Sequence, residues 1–309
     1  MNEDKMTVGV VVPTYNGGMR WMEAAASLQA QHSDFDRILI IDSGSSDATV
    51  AIAKKAGFDV ENITYADFNH GATRNYGLHK TCCDIVVFLT QDALIGDKAI
   101  SEIANAFRDK SVAVAYGRQL PHDDATPMAK HARSFNYKEK SYTYRLNDKS
   151  KHGIKTVFAS NSFSAYRADY FDELGGFPEN IIFAEDMYFT AKALLSGYSV
   201  RYVAEATCRH SHNYLPVQEF RRYFDTGVFH RNEAWIFETF GDAGGEGLKF
   251  IFSELSFLWK NRDFAWMPVA VVNNLFKILG YKAGLNYRKI PHCLLRHFSG
   301  CKSYWNHLQ

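Results

Sequence analysis

No stretch of about 18 consecutive apolar residues occurs anywhere in the 309-residue chain, so no membrane-spanning helix is expected. The only apolar stretch near the amino terminus, Val8–Val12, is too short for the core of a signal peptide. Excess charge is also missing. The 35 Lys and Arg nearly cancel the 34 Asp and Glu, leaving +1, which lacks the polyelectrolyte signature of a nucleic-acid binder. Cysteine is scarce: Cys82, Cys83, Cys208, Cys293 and Cys301 are odd in number and show no C-x-x-C spacing. This argues against a secreted disulfide framework or a zinc knuckle and favours reduced thiols in a cytoplasmic protein. There is no internal repeat and no low-complexity segment. What is present is 46% hydrophobic residues, enough for a sizeable core, and 15% aromatics, including 17 Tyr and 23 Phe.

Short β-branched or apolar runs recur along the first 117 residues. Thr7–Pro13, Arg37–Ile41, Val60–Tyr65, Asp84–Leu89 and Val112–Gly117 read as strands. Between them, Trp21–Gln31, Ala48–Ala56 and Lys98–Arg108 read as helices, and His70–His79 as a loop leading into one. Strands alternating with helices favour a mostly parallel sheet covered on both faces. Ligands bind such sheets beyond the carboxyl ends of the strands. The polar clusters Thr14-Tyr15-Asn16, Asp42–Asp47 and Gln91-Asp92 sit at those ends and are expected to converge. His122–Lys155 breaks the rhythm and reads as an insertion or mobile loop over the site. Val157–Tyr166 and Val200–Val203 resume strand character, and Glu185–Leu195 reads as a helix ended by Gly197.

From about His210 the pattern becomes helical and aromatic-rich: Val217–Phe240, Leu248–Trp259 and Trp266–Leu285, the last interrupted by Asn273, Asn274 and Lys277. After Asp263 there is no acid, whereas Lys277, Lys282, Arg288, Lys289, Arg296 and Lys302 remain. A basic amphipathic tail suits an interfacial helix on anionic lipid and is preferred here to a merely solvated basic face. The expected division is 1–209 for nucleotide-sugar binding and catalysis, and 210–309 for a helical, basic, membrane-associating region.

Transfer from a diphosphate donor needs base recognition, charge neutralisation at the diphosphate and a base for the acceptor hydroxyl. Hard cations such as Mg²⁺ or Mn²⁺ take oxygen ligands, commonly carboxylates. A positioned carboxylate can take the hydroxyl proton. Asp42, Asp92 and Asp186 stand where they could serve these three roles. Each taken alone is better read as capping a turn or helix or as favouring a helix dipole; it is their joint order along the chain that counts.

In this chain order the motifs resemble the inverting family-2 glycosyltransferases of GT-A fold. That fold is Rossmann-like α/β, with a mostly parallel central sheet and helices on both faces, here followed by a C-terminal helical region. Within the family, the sequence most resembles the bacterial rhamnosyltransferases of O-antigen and other surface polysaccharides. Val11-Val12-Pro13-Thr14-Tyr15-Asn16 is similar to the first strand and nucleotide loop, and Asp42-Ser43-Gly44-Ser45-Ser46-Asp47 to the second motif, which would place Asp42 on the pyrimidine base. Gly71-Ala72-Thr73-Arg74-Asn75-Tyr76-Gly77 resembles G-x-A-R-N-x-G and would enclose the nucleotide with Arg74 and Asn75. Thr90-Gln91-Asp92 stands at D-x-D with the first acid missing, so Asp92 would be the metal carboxylate beside Gln91. Ser160–Arg167, with Asn161, resembles the acceptor-side strand. Glu185-Asp186 resembles the E-D motif, whose aspartate is the base. Either His210 or His212 would complete the metal site. Gln218–Tyr223 is similar to the Q-x-x-R-W of processive synthases but lacks the tryptophan.

The resemblance implies transfer of L-rhamnose from dTDP-β-L-rhamnose, with a divalent cation, to a glycan or polyprenyl-diphosphate-linked acceptor. It places the enzyme on the cytoplasmic face of the inner membrane, with no nucleic-acid partner. UDP-GlcNAc or UDP-galactofuranose as donor, and a noncatalytic carbohydrate- or lipid-binding protein on a degenerate transferase fold, are the alternatives. A dinucleotide oxidoreductase would need G-x-G-x-x-G after the first strand, where Pro13–Gly18 does not fit.

Overall fold

A computed structural model describes residues 6–241 and 245–306. Nine strands form one sheet among these residues: β1 (Val8–Thr14), β2 (Arg37–Asp42), β3 (Asp59–Asn62), β4 (Ile85–Leu89), β5 (Leu94–Ile95), β6 (Val112–Leu120), β7 (Tyr142–Tyr144), β8 (Phe163–Arg167) and β9 (Ser199–Arg209). Their order is β3-β2-β1-β4-β8-β6-β9-β5, with β7 also paired to β9. The first four run parallel, as the alternating pattern predicts. β8 is antiparallel to both β4 and β6, and β5 and β7 are antiparallel to β9, so the second half of the sheet is mixed.

The central strands are apolar on both faces because both are covered. Val10, Val12, Ile40, Val87 and Leu89 pack into one layer with Trp21, Ile100 and Phe107. Val11, Ile41, Val86 and Phe88 pack into the other with Phe171, Phe177 and Phe189. The helices over the sheet are α1 (Gly18–Gln29), α2 (Thr49–Lys55), α3 (His70–Thr81), α4 (Ala99–Asn105), α5 (Pro127–Asn136), α6 (Lys149–His152), α7 (Ala168–Glu173) and α8 (Glu185–Leu195). Beyond β9 follow α9 (Pro216–Asn232), α10 (Ala234–Phe240), α11 (Glu246–Lys260), α12 (Met267–Leu285) and α13 (His292–Phe298). They are not a separate globule, since Phe224, Val228, Phe229, Leu295 and Trp305 join the second sheet layer in one core.

Four sequence expectations change. The segment 122–155 is not a loop. Thr126 caps α5 by accepting from the Ala129 N–H, Pro127 opens it, and Tyr142–Tyr144 adds a strand to the sheet edge. The strand expected at Val157–Tyr166 starts only at Phe163, and the turn before it leaves Asn161 at the strand's beginning. The helix at 70 needs no lead-in, because the Asn69 side chain accepts from the N–H groups of Gly71 and Ala72 and starts it at His70. The helix expected over Val217–Phe240 is broken at Glu233 into α9 and α10.

α12 meets α9 backbone to backbone. A Cβ at Gly280 or Gly284 would collide with the carbonyls of Phe220 or Phe224. The inward stripe of α12 is therefore Ala270, Asn273, Asn274, Lys277, Gly280 and Gly284, repeating at helical spacing.

Candidate active site

A cleft of about 2220 Å³ opens at the carboxyl ends of β1 and β4, the place where the strand order reverses. Its walls include the β1 loop, the start of α3, the segment after β4, α5, the start of α8, the residues after β9, and the inward faces of α9, α11 and α12.

Register builds its acidic cluster. β5 pairs antiparallel with β9, with Leu94 opposite Arg209. Continuing that register lays Asp92 beside residues 210–212. The Asp92 Oδ2 lies 3.5 Å from the Nε2 of His210 and 3.7 Å from the Nε2 of His212. One ligand atom from each of the three residues falls within 4.8 Å of the others, so the group can hold a metal ion. Behind it, Gln119 Oε1 faces His210 Nδ1 at 2.9 Å and also accepts from Arg133 at 2.6 Å, while Gln119 Nε2 donates to Ser160. An acceptor facing Nδ1 fixes the proton there and turns the Nε2 lone pair toward Asp92. Burial pushes His210 down to about 3, so the imidazole is neutral and its lone pair available. One carboxylate and neutral imidazoles suit a borderline divalent ion.

A second cluster forms where α8 meets α3 and the turn before β8. Glu185 is buried and ion-paired to Arg74 at 3.1 Å. Asn161 donates its side-chain amide to Glu185 at 2.9 Å and its backbone N–H to Asp186 Oδ2 at 2.9 Å. Its own Oδ1 accepts from Ser164 and Tyr166. Burial alone would raise the Glu185 carboxyl, but Arg74, His70 and the Asn161 amide together outweigh it and hold it below the usual range. Asp186 moves the other way: burial first, and then the Glu185 charge, push it up to about 7 despite the Asn161 and Met187 N–H groups. Two adjacent carboxyls with divergent environments are the pattern expected of an acid–base pair with separate duties. Ala184, which precedes them, adopts φ 64°, a left-handed backbone costly for a residue with a Cβ.

The amino-terminal loops are knitted together. Asp42 is buried. Its carboxylate accepts from Thr14 Oγ1 (2.8 Å), Ser45 Oγ (2.6 Å), and the N–H groups of Gly44 (3.1 Å) and Ser45 (2.8 Å). Asn16 accepts from the Ser46 N–H. Gln91 grips the Tyr15 backbone at both ends, accepting from its N–H at 2.8 Å and donating to its carbonyl at 3.1 Å. Asn75 likewise grips both backbone groups of Phe177. Pro13, Thr14, Tyr15, Ser43, Arg74, Gln91, Asp92, Asn161, Glu185, Asp186, His210 and His212 line the cleft. Among the described residues the lining does not include Asn16, Asp42, Gly44 or Asn75, which brace the loops behind it.

Residues 9–175 match the family described as Glycosyl transferase family 2. The chain belongs to glycosyl transferase family 2. It is 49% identical over 307 residues, 98% of each chain, to the O-antigen chain rhamnosyltransferase RfbN of Salmonella typhimurium. To the O-antigen chain rhamnosyltransferase WbaN of Salmonella anatum it is 50% identical over 303 residues, 97% of this chain and 96% of that one. Among solved structures it is similar to the mannosyltransferase PcManGT of Pyrobaculum calidifontis, in complex with GDP-Man and Mn²⁺. That likeness has a TM-score of 0.62 at 17% identity, covers 91% of this chain and 87% of that one, and bears on the fold alone. The chain is thus a GT-A glycosyltransferase.

Several site residues of this family-2 enzyme carried no motif. Gln119 and Arg133 are recognisable only once β6 and α5 are seen behind His210. The far wall adds Glu219, Arg222, Glu254, Asn274 and Lys277, joined by Lys277–Glu219 (3.5 Å), Arg222–Glu219 (2.9 Å) and Asn274–Glu254 (2.6 Å) contacts. Their traces in the sequence were the interruption of the apolar pattern at Asn273, Asn274 and Lys277 and the Gln218–Tyr223 segment that holds Glu219 and Arg222; Glu254 left none.

Proposed function

We propose that the enzyme transfers L-rhamnose from dTDP-β-L-rhamnose to a hydroxyl of a lipid-linked or polysaccharide sugar, with inversion to an α linkage. The observation that carries this reading is the 49% identity to RfbN, which runs through the C-terminal helices as well as the sheet.

Tyr15 and Tyr65, with ring centroids 4.9 Å apart at the cleft, offer the base an aromatic flank. Asp42, Asn16, Gly44 and Asn75 act on the nucleotide through the loops they hold, and Asp42 can also turn to the pyrimidine by giving up one of its four acceptor contacts. A divalent cation, Mn²⁺ or Mg²⁺, held by Asp92 with His210 or His212 would neutralise charge on the leaving diphosphate. His210 is the stronger candidate of the two because Gln119 fixes its tautomer. Asp186 Oδ takes the proton of the acceptor hydroxyl as that oxygen bonds to the anomeric carbon and the bond to the diphosphate oxygen breaks. Glu185 stays ionised on Arg74 and keeps the Asp186 carboxyl near neutrality, where a general base is effective. Residues 1–209 then bind the nucleotide sugar and carry the catalytic carboxyls, and 210–309 form the helical, basic, membrane-associating region that lends His210 and His212 to the metal site, at the cytoplasmic face of the inner membrane.

The test pairs turnover with binding. Asp186→Asn should cut transfer by about 10²–10⁴-fold while calorimetry shows nearly unchanged dTDP binding. Equal loss of both refutes the base assignment. Thermal shift across dTDP- and UDP-sugars, with and without Mn²⁺, tests the donor: the largest stabilisation should come from dTDP-rhamnose.

A further inference from the structure

The helical hairpin of α11, the turn at 264–266 and α12 is inside out. On α12, Asn273, Asn274 and Lys277 point inward, while Val271, Val272, Leu275 and Leu279 are 43–57% exposed. On α11, Glu254 is buried and Phe252 and Trp259 are 69% and 64% exposed. The Gly280 and Gly284 contacts with α9 fix this orientation, so it is not a rotation that solvent could reverse cheaply. Exposed aromatics on α11 and aliphatics on α12 give two neighbouring helices apolar outer faces of a kind that soluble surfaces seldom leave bare. Neither helix is long and apolar enough to cross a membrane, and the polar stripe on the inner side of α12 would be unsatisfied in hydrocarbon.

We infer that this face docks on an anionic lipid bilayer, lying in its interface. Charge selects the occupant. From residue 246 to the chain end there are three acids and nine Lys and Arg. Of those acids, Glu246 is paired to Lys155 and Lys249, Glu254 is buried and Asp263 is half-buried. Lys260, Arg262, Arg288 and Lys289 are exposed beside the apolar face, and Lys282 is exposed at the cleft. A second copy seated on it would bring this basic rim against its own like, whereas phosphate headgroups complement it. At the hairpin tip Trp259 and Phe264 meet edge to face at 5.2 Å beside Lys260 and Arg262, the aromatic-with-basic chemistry of a headgroup layer.

The opposite side of the same two helices supplies Phe250, Glu254, Asn273 and Lys277 to the catalytic cleft. The bilayer therefore lies about one helix diameter, roughly 10 Å, from the acceptor wall. That a lipid-linked sugar enters there rests on the proposed function; the docking itself does not.

The experiment uses the full chain and vesicles without any nucleotide sugar or acceptor, so its failure is separate from failure of the donor or acceptor assignment. Flotation with phosphatidylcholine vesicles containing about a third phosphatidylglycerol should recover the protein, and pure phosphatidylcholine should recover far less. The triple variant Phe252→Ser, Leu275→Ser, Leu279→Ser and, separately, Arg288→Glu with Lys289→Glu should each weaken binding by about tenfold or more. Circular dichroism and turnover on a water-soluble acceptor should remain at parental level. Binding that neither set of substitutions alters overturns the inference. So does absence of vesicle binding, or a concentration-dependent dimer that the apolar substitutions dissolve while vesicle binding persists.

Discussion

β1, β2 and β4 bury every aliphatic they carry, and Thr14 and Asp42 close β1 and β2 at their carboxyl ends, where the cleft begins. α11 and α12 do the reverse, burying Glu254, Asn274 and Lys277 and presenting Phe252, Leu275 and Leu279 outward. In these central strands the backbone pairs with a neighbour on each side, so apolar side chains decide which face is covered. In the helical half the decision passes to glycines, whose backbone contact with α9 commits a whole stripe of α12 inward whatever side chains it bears. Hydrophobic periodicity therefore reports burial reliably in these strands and inversely in α12.

The contrast can be broken or sharpened by substitution. The largest effect should be Phe88→Ala, which empties a fully buried position between the sheet and Tyr166 and Phe177 and should cost about 3–5 kcal/mol in urea unfolding. Lys277→Met should come next, at about 1–3 kcal/mol, because it removes the cation facing Glu254 and one of the two beside Glu219. Adding Glu219→Gln should return part of that loss, and a loss that stays constant would mean that packing rather than charge holds the inverted face. A smaller, pH-dependent effect belongs to Asp186. Its folded carboxyl titrates near 7, above the usual 3.8, so the folded state holds a proton that the unfolded chain releases. That contribution to stability is fully present below the unfolded value and is lost as pH rises through the folded one. Asp186→Asn escapes the loss, so its Tm advantage should widen by a few degrees between about pH 5 and about pH 8.5. A gap that does not change with pH would refute the raised titration. Smallest of all, Leu275→Ser in the absence of lipid should stay within about 0.5 kcal/mol of the parent, since an exposed leucine gives up little burial. A cost like that of Phe88→Ala would show that the face is covered in solution.

The parallel strands and the three loops at their ends were legible because a short apolar run ended by a polar cluster admits few other readings. Glu185-Asp186 and Asp92 with the two histidines were legible through their motifs, and register then explains why residues 92 and 210–212 meet. The turn holding Asn161 was misjudged because an apolar window from Val157 spans it without a break. Gln119 behind His210 could not be read at all, since the pair is 91 residues apart and Gln119 stands in no motif. The order within 122–155 was hidden by its Lys, Arg and Tyr content, which suggests a loop until Tyr142 is seen bonded to Tyr116.

Asn161 also sets the proton inventory of the pocket. Because its Oδ1 already accepts from Ser164 and Tyr166, its amide cannot flip, and the NH₂ must face Glu185. Glu185 then has Arg74 and Asn161 as donors and nowhere favourable to carry hydrogen. Of the two neighbouring carboxyls, only Asp186 can load and unload near neutral pH, so each turnover has a single vacancy to fill and to clear before the next acceptor enters.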